Sequence, residues 1–295
     1  MNDLTNFIQQ QQLPESYLAL AEQWYAPLAA TIHRQTQKRE EPLLVAINGC
    51  QGSGKSTLAE YLATVLRHEH QLSAAILSID DFYLTQQERQ QLSTDIHPLL
   101  QTRGVPGTHD TQLLNKSLNE LRQTRGNCHI PRFDKSMDDR RPKQEWSETP
   151  LPLDVIILEG WCMGAPPESD RQLTEPRNNL ERQEDPDGVW RRYVNQQLQE
   201  HYQPIFEQFD LWIMLKAPSF NNVFQWRLEQ EQKLAAKNTQ TQDTHIMDEA
   251  EILRFIQHYQ RLTESCLNNL SENVHFLYEL NDNRLPQRLL HPLKI

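Results

Sequence analysis

Short unbroken apolar runs alternate along the chain with longer segments in which apolar residues recur every three or four positions. The runs are LLVAIN (43–48), the stretch 74–80, LDVIIL (153–158), DLWIML (210–215) and VHFLYEL (274–280). A run that is apolar at nearly every position suits a strand covered on both faces. Helical spacing marks 56–69, 111–124, 189–208, 220–236 and 249–270. An earlier stretch, 15–34, carries Tyr17, Leu18, Ala21, Trp24, Tyr25, Leu28 and Ile32 at that spacing, and Pro27 inside it predicts a kink or a split. The alternation predicts an α/β fold, a parallel sheet of about five strands with helices on both faces. The polar stretch 35–42 reads as a linker, and 165–188 and 235–245 read as loops or mobile flaps. The expected division is an N-terminal helical extension and linker over 1–41 and one domain over 42–295, with a helical lid around 224–246.

Composition narrows the class. The 295 residues are 37% hydrophobic and 23% charged, enough to bury a core, and the net charge is −11. A general nucleic-acid or anionic-membrane binder wants a basic face, so neither partner is expected, although a local basic pocket for a small anion is compatible. The four cysteines, Cys50, Cys128, Cys162 and Cys266, are scattered and form no CxxC or Cys/His cluster, which argues against zinc and against a disulfide framework. The N-terminus lacks a basic and then apolar leader pattern, and no apolar stretch approaches the length of a membrane span. A cytoplasmic setting is the expectation. Nothing in the pattern speaks to oligomeric state.

One stretch carries specific chemistry. GCQGSGKS (49–56) fits G-x-x-x-x-G-K-[ST] and lies between a predicted strand and a predicted helix, the context that motif requires. Three of the nine glycines of the chain fall within it, Gly49, Gly52 and Gly54. Glycines let backbone N–H groups close around phosphate oxygens, and the helix N-terminus adds partial positive charge. The nucleotide-binding candidates are therefore Gly49, Cys50, Gln51, Gly52, Ser53, Gly54, Lys55, Ser56 and Thr57. Lys55 would reach the β- and γ-phosphates, and the Ser56 hydroxyl would sit on Mg²⁺.

Acids fall where such a loop needs them. The strand LDVIIL runs into Glu159 and Gly160, and a carboxylate at the C-terminal end of a strand beside a phosphate loop is a second Mg²⁺ anchor. The second strand ends on Asp80 and Asp81, followed by Phe82 and Tyr83. Adjacent strand residues face opposite ways, so these two aspartates are expected to play different roles. A GTPase would need N-K-x-D, and NKSL (115–118) lacks the Asp. A motor-type ATPase usually ends this strand on Asp, often Asp-Glu, where Glu-Gly stands here. A small-molecule kinase needs an acid near the acceptor hydroxyl, a basic acceptor pocket and a closing lid. Candidates for the pocket lie in QTRGVPGTHD (101–110), with Arg103, His109 and Asp110, and in HIPRFDKS (129–136), with Arg132 and Lys135. Arg227, on the helical stretch 224–238, is the lid candidate. The rival reading is a nucleotide-binding switch or assembly factor with no small-molecule acceptor.

Together LSIDDFYLT, RGVPGTHD, PRFDKS, LEGWCMG and WRLEQEQKL resemble the P-loop kinase group that includes phosphoribulokinase, uridine kinase and bacterial pantothenate kinase, and most closely the D-glycerate 3-kinase family. The resemblance spans roughly 42–290. It implies a P-loop NTPase fold and transfer of the γ-phosphoryl group of ATP, with Mg²⁺, to a hydroxyl of a small anionic metabolite. D-glycerate is the first candidate acceptor, and a nucleoside, pantothenate or a sugar phosphate is the alternative. It implies that Asp80 is the general base or hydroxyl-orienting group, and that Asp81 stands behind it or contacts Mg²⁺ through water. Catalytic roles are implied for Lys55, Glu159 and Arg227, and acceptor contacts for Tyr83, Arg103, His109, Asp110, Arg132 and Lys135.

Overall fold

A computed structural model describes residues 3–237 and 247–294. The strands are β1 (Leu43–Gly49), β2 (Ala74–Ser78), β3 (Gly126–Ile130), β4 (Phe133–Asp134), β5 (Asp139–Arg140), β6 (Ser147–Leu151), β7 (Val155–Gly160), β8 (Leu211–Lys216), β9 (Phe276–Leu280) and β10 (Pro286–Leu290). Six of them form one sheet in the order β10-β9-β8-β1-β7-β2. The five expected strands pair in parallel, and β10 adds an antiparallel edge through a hairpin with β9. The β10 sequence, PQRLL, alternates too weakly to announce a strand.

The helices are α1 (Asp3–Gln10), α2 (Ser16–Trp24), α3 (Ala26–Thr36), α4 (Lys55–His68), α5 (Gln86–Asp95), α6 (Thr111–Leu121), α7 (Asp170–Thr174), α8 (Asn179–Glu184), α9 (Val189–Gln197), α10 (Gln203–Phe206), α11 (Phe220–Lys237) and α12 (Glu249–Ser265). Pro27 does split the first amphipathic stretch: it stands in the first turn of α3, where its missing N–H costs nothing. One π-turn over Leu198–Tyr202 joins α9 to α10, so the run expected at 189–208 is nearly continuous. Part of the expected lid, residues 238–246, lies outside the described residues.

Alternation along each strand divides the core in two. Leu43, Val45 and Ile47 of β1 join Val155 and Ile157 of β7 beneath α1 to α4. Leu44 and Ala46 join Ile156 and Leu158 beneath α6, α9 and α12. Both faces of the sheet are therefore buried, as the unbroken apolar runs require.

Three expectations change. The strand expected over 74–80 ends at Ser78. Its hydroxyl caps a 3₁₀ turn over Ile79–Phe82 by accepting from Asp80 N, so both aspartates leave the strand. The connection between the second strand and β7 contains two small antiparallel pairs, β3 with β6 and β4 with β5. The third change is at 165–188, which is no flap. It forms α7 and α8, and buried Arg261 of α12 clamps it. The Arg261 guanidinium lies 2.6 Å from Glu181 and 3.0 Å from Glu168, and it also donates to the Gln172 and Glu175 carbonyls.

Candidate active site

The carboxyl ends of the parallel strands gather the candidate residues, the edge where open α/β sheets bind ligands. β1 leaves the sheet at Gly49 and turns through Cys50–Gly54 into α4, which begins at Lys55. Gly52 has φ +80° and packs so tightly on α11 that a Cβ would come 2.8 Å from Trp226 Cβ. Gly54, at φ +89°, caps α4 in the left-handed region. The loop keeps two buried side-chain atoms without a hydrogen-bond partner, Gln51 Oε1 and Ser53 Oγ.

β7 pairs with β1 so that Glu159 lies opposite Ile47, one strand from the loop. Ser56 Oγ donates to Glu159 Oε1 at 2.9 Å, and Lys55 Nζ is 3.7 Å from Glu159 Oε2. That second oxygen is buried and makes no hydrogen bond. Burial alone would lower the Lys55 pKa, but Glu159 and Asp80 outweigh it and hold the ammonium charged. The donor set suits Mg²⁺: a hydroxyl and a carboxylate oxygen converge where a hard cation can also keep waters and phosphate oxygens. Among the described residues no three His, Cys, Asp or Glu side chains cluster as a protein-only metal cage, which Mg²⁺ in kinase sites does not need.

The two aspartates part company in the 3₁₀ turn. Asp80 Oδ1 accepts from Tyr83 Oη at 2.8 Å, and Oδ2 accepts from Lys135 Nζ at 2.7 Å. Burial would raise its pKa, but Lys135 and Lys55 override this and bring it to about 2. Asp81 Oδ2 accepts from Arg132 at 2.7 Å, and Oδ1 accepts from Phe133 N at 3.1 Å. Burial raises its pKa in spite of Arg132. Both Asp81 oxygens thus have protein partners on the β4 side.

The basic residues fall at different depths. Arg132 bridges Asp81 and, through Nε, Ser147 Oγ at 2.9 Å. Arg103 pairs with Asp138 and lies 5.6 Å from the centroid of the Phe133 ring, while its carbonyl accepts from Tyr259 Oη. Lys135 is 61% exposed and so can swing away from Asp80. His109 stacks under Tyr83 at 4.6 Å and meets Tyr202 Oη through Nδ1, while its buried Nε2 has no partner. Burial lowers its pKa to about 4, so the ring is neutral at pH 7. Asp110 caps α6 through Leu113 N and pairs with Arg140, so both of its oxygens are engaged away from Asp80. Arg227 Nη1 is 2.6 Å from Glu231, and the guanidinium lies 5.7 Å from the Phe255 ring centroid.

Lys55, Ser56 and Glu159 therefore form one bonded group, Asp80, Tyr83 and Lys135 form a second that acts on Lys55 through charge, and Asp81 with Arg132 forms a third beside it. Arg103 borders the third group, and His109 supports the second from beneath. Sequence reasoning passed over Asp138 and Arg89. Asp138 has φ +53° and receives both Arg103 and the buried Arg89, which also donates to the Gln101 carbonyl. Nothing local distinguishes Asp138 within MDDRR. Tyr259 sits on the apolar stripe of α12, the one signal that could have drawn attention to it.

A GKS loop between strand and helix, a carboxylate on the neighbouring strand and an aspartate beyond the next define a P-loop phosphotransferase. The phosphoribulokinase/uridine kinase family matches residues 44–165. An uncharacterized kinase of Schizosaccharomyces pombe is 34% identical over 270 residues, covering 86% of this chain and 94% of that protein. A Saccharomyces cerevisiae protein named "Probable ATP-dependent kinase" is 33% identical over 218 residues, covering 66% of this chain and 69% of its own length. Among solved structures, the D-glycerate 3-kinase of Cryptococcus neoformans superposes with a TM-score of 0.75 at 27% identity, covering 90% of this chain and 97% of that one. The chain belongs to the phosphoribulokinase/uridine kinase family and is a small-molecule kinase.

Proposed function

We propose that the protein transfers the γ-phosphoryl group of ATP, with Mg²⁺, to a hydroxyl of a small anionic metabolite, and that D-glycerate is its acceptor. The observation that carries this reading is the joint position of two groups at one sheet edge. Lys55, Ser56 and Glu159 lie on the donor side, and Asp80 with Tyr83 and Lys135 lies on the acceptor side. The likeness to a D-glycerate 3-kinase over nearly the whole chain supports the acceptor, and the name of the Saccharomyces cerevisiae relative supports ATP.

In this reading the loop's N–H groups and Lys55 hold the donor phosphates. Ser56 and Glu159 would hold Mg²⁺, which supplies neutralisation of charge on the phosphate oxygens. Asp80 accepts the hydrogen bond of the attacking hydroxyl. A carboxylate whose pKa is about 2 is a weak base, so its main work is orientation, with the proton leaving late. That suits a loose phosphoryl-transfer transition state, in which the nucleophile needs little activation. Tyr83 fixes the carboxylate plane through Oδ1. Lys135 yields Oδ2 to the hydroxyl and stays near as a cation. Arg132 and Arg103 face a substrate carboxylate, for which a guanidinium offers two parallel donors. The test is ADP production with a panel of hydroxy acids, nucleosides, pantothenate and sugar phosphates, using wild-type protein and Lys55→Ala. Acceptor-dependent ADP that Lys55→Ala abolishes, in a protein that still folds, supports the reading. Near-wild-type transfer by a folded Lys55→Ala overturns it.

A further inference from the structure

Arg103 is held at both ends. At the side-chain end, Asp138 engages Nη1, one of the three guanidinium nitrogens, and the buried Arg89 holds Asp138 in turn at 2.8 Å. At the backbone end, Tyr259 Oη donates to the Arg103 carbonyl at 3.1 Å, and Trp161 Nε1 donates to the Gly104 carbonyl at 3.1 Å. The Tyr259 and Trp161 rings meet edge to face with centroids 4.9 Å apart, and both are buried. The backbone lies directly against them: a Cβ on Gly104 would collide with the Tyr259 ring. Past Gly104 the turn closes on itself. Thr108 Oγ1 accepts from Gly104 N at 2.9 Å and donates to the Val105 carbonyl at 2.7 Å.

Tyr259 reaches this turn from α12, 156 residues further along the chain. Its ring is braced by Phe255, one helical turn earlier, at 5.1 Å. Burial, and after it the charge of Asp80, raises the pKa of the phenol, so the hydroxyl keeps its proton and remains a donor. The apolar stripe of α12 needs a ring at this position for packing, but packing alone does not need the hydroxyl. That group is directed at the carbonyl of a residue whose guanidinium borders the acceptor side.

We infer that Tyr259 is a positioning residue for the acceptor: it fixes the backbone of Arg103 so that the guanidinium meets the acceptor's carboxylate in one orientation. Two-point pairing of a guanidinium with a carboxylate is directional. Asp138 already occupies Nη1, which narrows the directions from which a second carboxylate can approach. A small rotation of the turn therefore misaligns the fork. Without the Tyr259 hydroxyl the Arg103 carbonyl loses its buried donor, and the turn gains that freedom.

The inference rests on the reading above, with D-glycerate as acceptor and Arg103 facing its carboxylate, and one set of kinetics separates the two. Tyr259→Phe keeps the ring and removes only the hydroxyl. It should raise the KM for D-glycerate about tenfold and leave kcat and the KM for ATP within twofold of wild type. Arg103→Met should itself lower kcat/KM for D-glycerate. Adding Tyr259→Phe to Arg103→Met should change kcat/KM less than twofold, because a residue that acts through Arg103 then has nothing left to position. A tyrosine that serves only the fold would cause the same tenfold loss in both backgrounds, and that result overturns the inference. So does a Tyr259→Phe protein that is kinetically like wild type, or one in which the KM for ATP rises as much as that for D-glycerate. In each of these cases turnover of D-glycerate by wild-type protein leaves the kinase reading standing. Wild-type protein that forms no ADP in response to D-glycerate overturns the acceptor assignment and the inference together.

Discussion

Two adjacent aspartates are given opposite surroundings by one helical turn. Asp80 faces Tyr83 and Lys135, and Asp81 faces Arg132 and the Phe133 amide. The sequence predicted the separation but not its cause, because strand alternation was the only device visible there. The true device is a 3₁₀ turn nucleated by Ser78. Asp80→Asn keeps the shape and removes the charge, so kcat should fall by about 10²–10⁴, the contribution of a positioned acid–base group. Asp81→Asn should act differently: by releasing Arg132 it should raise the acceptor KM more than it lowers kcat, at any Mg²⁺ concentration. Steady-state kinetics of both variants over a Mg²⁺ series decides. Recovery of Asp81→Asn at high Mg²⁺ would place that carboxylate on the metal instead, and a dead Asp81→Asn beside a mild Asp80→Asn would exchange the two roles.

At the scale of elements, the five parallel strands of the main sheet were legible because burial on both faces writes an unbroken apolar run into the sequence, whereas the half-exposed edge strand β10 was not. The strap at 165–188 was not, because buried charge holds it, and no local pattern shows that Glu168 and Glu181 will meet Arg261 some 80 to 93 residues away. Arg261→Met leaves buried Glu181 without its cation and Glu168 with only the outer Arg177, 3.6 Å away. It should cost about 3–5 kcal/mol of stability, the range for breaking a buried pair by removing one partner. Urea unfolding monitored by circular dichroism measures this, and a loss below about 1 kcal/mol, typical of an exposed pair, would show that the strap does not depend on the pair. The small antiparallel pairs β3–β6 and β4–β5 were equally hidden, although Arg132 lies in the link between β3 and β4 and Lys135 directly after β4. On α11, Arg227 is held by Glu231 and Phe255. If it reaches the phosphates only on closure, Arg227→Ala should lower kcat more than it weakens ADP binding. A large loss of ADP affinity with kcat unchanged would contradict that.

For the molecule as a whole, buried histidines set the response to acid. Burial brings His109 from its ordinary 6.5 to about 4, and burial together with Arg254 does the same to His258. Between these values the unfolded chain binds a proton that the folded chain does not, so stability is complete above pH 6.5 and is lost as pH falls toward 4. At about 1.4 kcal/mol per pH unit of separation, each histidine accounts for at most about 3.5 kcal/mol. Asp80 acts in another window: its depressed pKa contributes stability above 3.8 that disappears as pH falls through about 2. The urea midpoint should therefore drop between pH 7 and 4.5, and His258→Gln should flatten that slope whatever it does to stability at pH 7. An unchanged slope would mean that the ring is charged inside the fold.

The decisive experiment is phosphoryl transfer from ATP to D-glycerate. Purified protein incubated with ATP, Mg²⁺ and D-glycerate is assayed for ADP and, by phosphorus NMR, for a new phosphate monoester. ADP and monoester should form in equal amounts, both dependent on the hydroxy acid and both abolished by Lys55→Ala. ADP formed at the same rate with no acceptor present, or no ADP with any hydroxylated acceptor, would contradict that transfer.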